Sequence, residues 1–195
     1  MTTGELAVAL LILGLLIFLG IHSVQIFASD WREAQIAACG ENAWKGIYSI
    51  ASLIGLVVLI YGYGVARESA DLVFVPPDWS RSALHIAMPV SMVLLVASQL
   101  PMGYLKKGFR HPMLWGTIIW SGFHLLANGD TASVLLFAGF LVWAVLDLFS
   151  ASRRPSGEPE AAKAWPDLVA MLIGFVLTGI FVAFLHQWIT GMPVI

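Results

Sequence analysis

"FRHPMLWGTIIWSGFHLLANGD", residues 109–130, is oily enough to enter a lipid bilayer, yet it carries His111, His124 and several other polar side chains. Pro112 suits the first turn of a helix, where its missing N–H removes no hydrogen bond. Asn128-Gly129-Asp130 is a turn-forming triplet. The stretch therefore predicts a short helix over about Pro112 to Ala127, with Arg110 and His111 at its start. Thr117, Ser121, His124 and Asn128 follow one another at steps of four, three and four, so they share one face. A polar face on a membrane helix turns toward protein or a cavity, because lipid offers such groups no partner.

The rest of the chain has the same character. Of its 195 residues, 59% are hydrophobic and only 11% are charged. A soluble domain of this size needs more charge to cover its surface. Long apolar runs recur along the whole length, which implies an all-α integral membrane bundle, since backbone in lipid must satisfy its own hydrogen bonds. The length fits one domain over residues 1–195. A net charge of −2 argues against a nucleic-acid role. With one cysteine, Cys39, neither an internal disulfide nor a cysteine-based zinc site is available, and a small buried or interfacial residue is expected there.

Six spans are expected: about Leu6–Ala28, Gly46–Ala66, Ala83–Leu100, Pro112–Ala127, Thr131–Ser150 and Asp167–Ile189. The first has no preceding basic residue and is too long for an ordinary signal core, so it reads as a retained helix. The fourth is short, which makes it half of a helical hairpin in a kinked or thinned arrangement. Arg32 and Lys45, then Lys106, Lys107 and Arg110, then Arg153, Arg154 and Lys163 occupy the odd-numbered loops. That is eight of the ten basic residues, so those loops are expected in the cytoplasm. Six spans then put both termini in the periplasm of a bacterial inner membrane. Trp31, Trp44, Trp79, Trp165 and Trp188 sit near helix ends, as interfacial anchors do. "ASDWREAQIAACGENAWK", residues 28–45, is polar enough for a short surface helix. "SASRRPSGEPEAAKAWP", residues 150–166, reads as a solvated connector. Ala51 and Gly55 form a small-xxx-small pair, a sign of close helix contact.

His22 is the other histidine well inside a span, with Gln25 and Ser29 on roughly its side of the helix. His85 and His186 lie near span ends, the usual place for interfacial residues. A buried imidazole hydrogen-bonded across helices is the ordinary role for His22 and His124. Two deep histidines on different helices, in a chain with few polar partners, also suit the two axial positions of a haem iron. Two histidines alone make a poor zinc site. Counted from the helix ends, the two rings differ in depth by roughly 9 Å at 1.5 Å per residue. Tilt or a lowered fourth helix has to close that gap; otherwise His111 is the alternative partner of His22. Asp147 near Arg153 and Arg154 predicts an ion pair.

Together, "HSVQIF" from residue 22, "ENAWKGIYSIASLIGLVVLIYGYGVAR" from residue 41 and the opening stretch resemble the NnrU family over nearly the whole chain. That resemblance implies a bacterial membrane protein associated with denitrification and nitric oxide metabolism. The family is similar in turn to the plant 15-cis-zeta-carotene isomerases, membrane haem b proteins with two axial histidines. Their His-Ser motif matches His22-Ser23, and their Trp-Cys-x-x-His motif is similar to Trp120-Ser121-x-x-His124. Ser121 replaces the cysteine of that motif, which puts any thiolate chemistry in doubt. "RHPM" also resembles isoprenylcysteine methyltransferases, but the acidic and tyrosine-bearing segments that hold the methyl donor there are missing after Asp147.

The expectation is therefore a haem b protein with His22 and His124 on the iron, in a redox or redox-gated role. Thr117, Ser121 and Asn128 would support the ligands or face a substrate, and Arg110 and His111 would be structural or contact lipid headgroups. The alternatives are a haem-dependent cis-trans isomerase of an apolar polyene, and a non-catalytic subunit of a larger membrane complex.

Overall fold

The computed structural model describes residues 2–155 and 160–191. Its regular elements among these residues are helices: α1 (Thr3–Phe27), α2 (Ser29–Cys39), α3 (Glu41–Glu68), α4 (Ser80–Gln99), α5 (Tyr104–Phe109), α6 (Pro112–Ala127), α7 (Thr131–Arg153), α8 (Trp165–Ile180) and α9 (His186–Thr190). A π-helical turn, Phe181–Leu185, joins α8 to α9. Among the described residues five stretches are long and apolar enough to cross a membrane: α1, α3, α4, α7 and the run Trp165–Ile189. The chain is a multi-pass membrane protein. With 16 residues, α6 is only about 24 Å long, short of a hydrocarbon core of about 30 Å. It starts at Pro112 and ends at Ala127, as its proline and its Asn-Gly turn dictate.

The chain forms two compact units, one comprising residues 1–74 and 130–139, the other residues 75–129 and 140–195. In the first, α1 and α3 pack backbone to backbone. A Cβ on Gly14 would come within 2.5 Å of the Leu59 backbone, one on Gly55 within 2.8 Å of Phe18, and one on Gly62 within 2.7 Å of Leu11. Glycine removes the side chain that would hold the helices apart, so dispersion contacts form along their length. The expected contact at Gly55 is thus present, and it extends to Gly62, seven residues on. Thr2 and Glu5 form a reciprocal capping box at the start of α1. Asp130 accepts from Ser133 N–H at 2.9 Å and so caps the segment that begins α7. The Thr131 N–H and Oγ1 both donate to the Asp71 carbonyl, and Tyr63 Oη meets Ser133 Oγ at 3.1 Å.

In the second unit α4 packs on α6 and α8. Ser91 Oγ donates to the Gly116 carbonyl at 2.8 Å, an interhelical bond made where a Cβ on Gly116 would come within 3.0 Å of the Ser91 carbonyl oxygen. Gly174 of α8 lies against the Val93 backbone. The last carbonyls of α4 are not left orphaned: Lys106 Nζ donates to Ser98 at 3.0 Å and Leu100 at 2.8 Å. Asp167 accepts from the Tyr104 and Leu105 N–H groups and so caps α5. The connector before α8 is therefore tied down at its far end, where Lys163 N–H donates to the Met102 carbonyl.

The tryptophans divide. Trp31, Trp79, Trp165 and Trp188 are exposed, as interfacial anchors are, whereas Trp44 is buried, edge-on to Trp31 with centroids 5.7 Å apart. Cys39 is exposed at the end of α2, not buried.

Candidate functional site

The polar face of α6 is satisfied within its own helix. Thr117 Oγ1 donates to the Met113 carbonyl (3.0 Å), Ser121 Oγ to Thr117 (2.6 Å), and Asn128 Nδ2 to His124 (2.8 Å). Each bond reaches back four residues, the usual way hydroxyls and amides are tolerated in an apolar helix. A hydroxyl that donates in this way has used its only proton. Ser121 is in addition completely buried.

His124 follows the same rule with a different result. Its Nδ1 lies 2.8 Å from the Trp120 carbonyl. A carbonyl only accepts, so Nδ1 carries the proton and Nε2 is the basic nitrogen of the ring. His22 repeats this on α1, with Nδ1 2.6 Å from the Phe18 carbonyl. In both, the residue four positions earlier is aromatic and also contacts the imidazole. Phe18 and His22 have centroids 4.4 Å apart, Trp120 and His124 5.5 Å. Tyr48 of α3 lies edge-on to His22 at 5.3 Å, and Phe140 stacks edge-on to Trp120 at 5.2 Å. The aromatic-x-x-x-His pattern is legible twice in the sequence and was the missed signal for this shared local geometry.

A neutral imidazole with Nδ1–H bound to a backbone carbonyl is the form that ligates metals through Nε2, its tautomer and ring plane fixed by that bond. The donor set fits haem iron in this respect: the porphyrin supplies four nitrogens and the protein need supply only imidazoles. Among the described residues no three His, Cys, Asp or Glu side chains gather into a metal-holding group.

His22 also lines a cavity of about 520 Å³ within the first unit, bounded by Gln25 of α1, Arg32 and Ile36 of α2, and Glu41, Trp44, Lys45 and Tyr48 of α3. Its polar residues from α2 and α3 escaped the sequence reading, because only the fold of the connector brings them to His22.

His111 lies elsewhere, at the N-terminal end of α6, where Arg110 has φ 55° and ψ −45° and the His111 N–H bonds to the Phe109 carbonyl. This is a γ-turn with positive φ at a residue that bears a Cβ, a strained conformation. The His111 Nε2 is buried and has no hydrogen-bond partner among the described residues. Burial, and then the Arg110 charge, hold this imidazole below its ordinary pKa, with Asp147 pulling the other way. Arg110 is exposed. The expected ion pair is present: Arg154 Nη2 is 3.1 Å from Asp147 Oδ1 and 3.0 Å from Ser150 Oγ.

His85 is exposed. His186 is half-buried directly after the π-turn and is an electrostatic neighbour of His124. A π-turn shifts the register of every later side chain, and such turns concentrate at functional sites. A periodicity of 3.6 residues gives no sign of one, so His186 looked merely interfacial.

The fold and these sites define a helical multi-pass membrane protein with imidazoles held in a metal-ligating tautomer. The family model described as "NnrU protein" matches residues 10–194, and the chain belongs to the NnrU family. No curated protein and no solved structure matches it.

Proposed function

We propose that this NnrU-family protein is an integral haem b protein of the bacterial inner membrane, with His22 and His124 as the imidazole ligands of the iron. Its role on this reading is redox or redox-gated, within the nitric oxide and denitrification metabolism with which the family is associated. The observation that carries the reading is the matched pair of Nδ1–H bonds, His22 to Phe18 and His124 to Trp120. They hold two separate histidines in the one tautomer that presents Nε2 to a metal.

Bound haem would supply one-electron chemistry between ferrous and ferric iron. The chain's own part is to orient and to exclude. The backbone bonds fix each ring against rotation, so coordination costs little side-chain entropy. The aromatic neighbours Phe18 and Tyr48 pack on the His22 ring, and Trp120 on that of His124. Coordination also offsets the burial of a basic nitrogen, which unpaired would cost a few kcal/mol. The buried Ser121 hydroxyl, donated to its own helix, stands where a thiol would serve the isomerase alternative. This favours the redox reading.

The test is the detergent-purified protein, expressed with ample haem supply. A stoichiometric b-type pyridine haemochrome and a low-spin visible spectrum are expected. A colourless, folded protein would remove the reading and leave the histidines as interhelical or substrate-site residues.

A further inference from the structure

The cavity beside His22 has a two-sided chemistry. Its apolar lining comes from Ile21, Val24, Ile36 and the ring of Trp44; Arg32 and Lys45 supply positive charge, and Tyr48 and Gln25 supply hydrogen-bonding groups. Glu41 contributes the opposing charge, but it is spoken for, since Lys45 Nζ lies 2.8 Å from its carboxylate. Arg32 makes no hydrogen bond or close ion pair among the described residues; its charge acts on Glu41 only through space, and it is half-buried against the cavity. A guanidinium so placed lacks the planar oxygen pair it binds best, a carboxylate or a phosphate. The position suits an amphiphile. α2 follows directly on the apolar helix α1, so Arg32 stands where an apolar span gives way to a polar segment.

We propose that this cavity binds one amphiphile with an anionic oxygen head, Arg32 gripping the phosphate or carboxylate and Ile21, Val24 and Ile36 receiving the adjoining chain. Glu41 acts as the internal competitor: while it holds Lys45, only Arg32 faces the ligand, and releasing Lys45 adds a second cation. The proposal assigns the ligand to Arg32 and the apolar lining and gives the His22 imidazole no part, so it does not rest on the haem reading.

Native mass spectrometry of the full chain in detergent tests this, with phosphatidylglycerol as the phosphate probe, oleate as the carboxylate probe and phosphatidylcholine as the zwitterionic control. Bound haem is counted separately by its mass and its visible absorption. One saturable anionic adduct is expected, retained at least tenfold better than phosphatidylcholine. Preference for phosphatidylglycerol over oleate identifies a lipid headgroup, and the reverse preference a free fatty acid. Arg32→Gln should weaken the adduct about tenfold, Glu41→Gln should strengthen it, and Arg81→Gln, on a different helix, should leave it unchanged. Equal retention of all three probes overturns the site, and so does an Arg32→Gln protein with wild-type retention. An Arg32→Gln protein that has lost its helical circular dichroism is replaced by Arg32→Lys, which keeps the charge but not the planar fork and should show intermediate retention; wild-type retention there overturns the bidentate grip.

Discussion

At the scale of single residues, His111 and His124 separate although they lie on one short segment. His124 belongs to a helix interior and bonds to its own turn; His111 begins the helix with Nε2 buried and without a hydrogen-bond partner among the described residues. Burial lowers the His111 pKa in the folded protein, so between that value and the ordinary 6.5 the unfolded chain binds more protons. Stability contributed by neutral His111 is therefore complete above about 6.5 and is lost as pH falls toward the folded value. Thermal melts in detergent at pH 5 and pH 7.5 should show wild type losing more stability at the lower pH than His111→Gln. Equal losses would mean that His111 is solvated in the native state. His111→Ala should also leave haem bound; stoichiometric haem loss from a folded His111→Ala protein would move the ligand assignment to His111. Of this corner, the sequence showed the proline start and the exposed arginine. It did not show the γ-turn at Arg110, because a strained backbone angle is imposed by the surrounding packing and not by local preference.

At the scale of elements, the helix ends were legible because their signals are local: Pro112, Asn128-Gly129-Asp130 and the polar break after Phe27. The close approach of α1 and α3 was legible only in part. Gly55 was marked by its small partner Ala51, whereas Gly14 and Gly62 gain meaning only when the opposing backbone is known. Gly62→Leu should force α1 and α3 apart. Overpacking of this kind costs typically about 1–3 kcal/mol, and more where the obstacle is backbone. Gly64→Leu, two residues on and facing open space, should change stability little. Melting temperatures of the two variants in the same detergent decide it; equal shifts would contradict the α1–α3 contact. The cavity beside His22 was hidden for a similar reason. Arg32, Lys45 and Tyr48 lie ten to twenty-six residues beyond His22 in sequence, and only the fold of the connector brings them to it.

At the scale of the whole molecule, the membrane class follows from composition, and five of six expected spans are long apolar helices, with α6 as the short one that its proline and turn predict. The basic residues cluster in loops of one parity, and the six-span expectation, with α6 counted as a crossing, predicts both termini in the periplasm. An alkaline phosphatase fused to the C-terminus should be active, while activity of a cytoplasmic reporter at the same position would mean an odd number of crossings. The haem reading stands on the family resemblance and on the two matched imidazoles. It is tested most directly by the visible spectra of the haem-supplied wild type, His22→Ala, His124→Ala and His85→Ala, each shown to be folded and inserted. The wild type and His85→Ala should share one low-spin b-type spectrum, and each of the other two should lose it or convert to high spin. A wild-type spectrum in either His22→Ala or His124→Ala, or no haem in the wild type, would contradict the account.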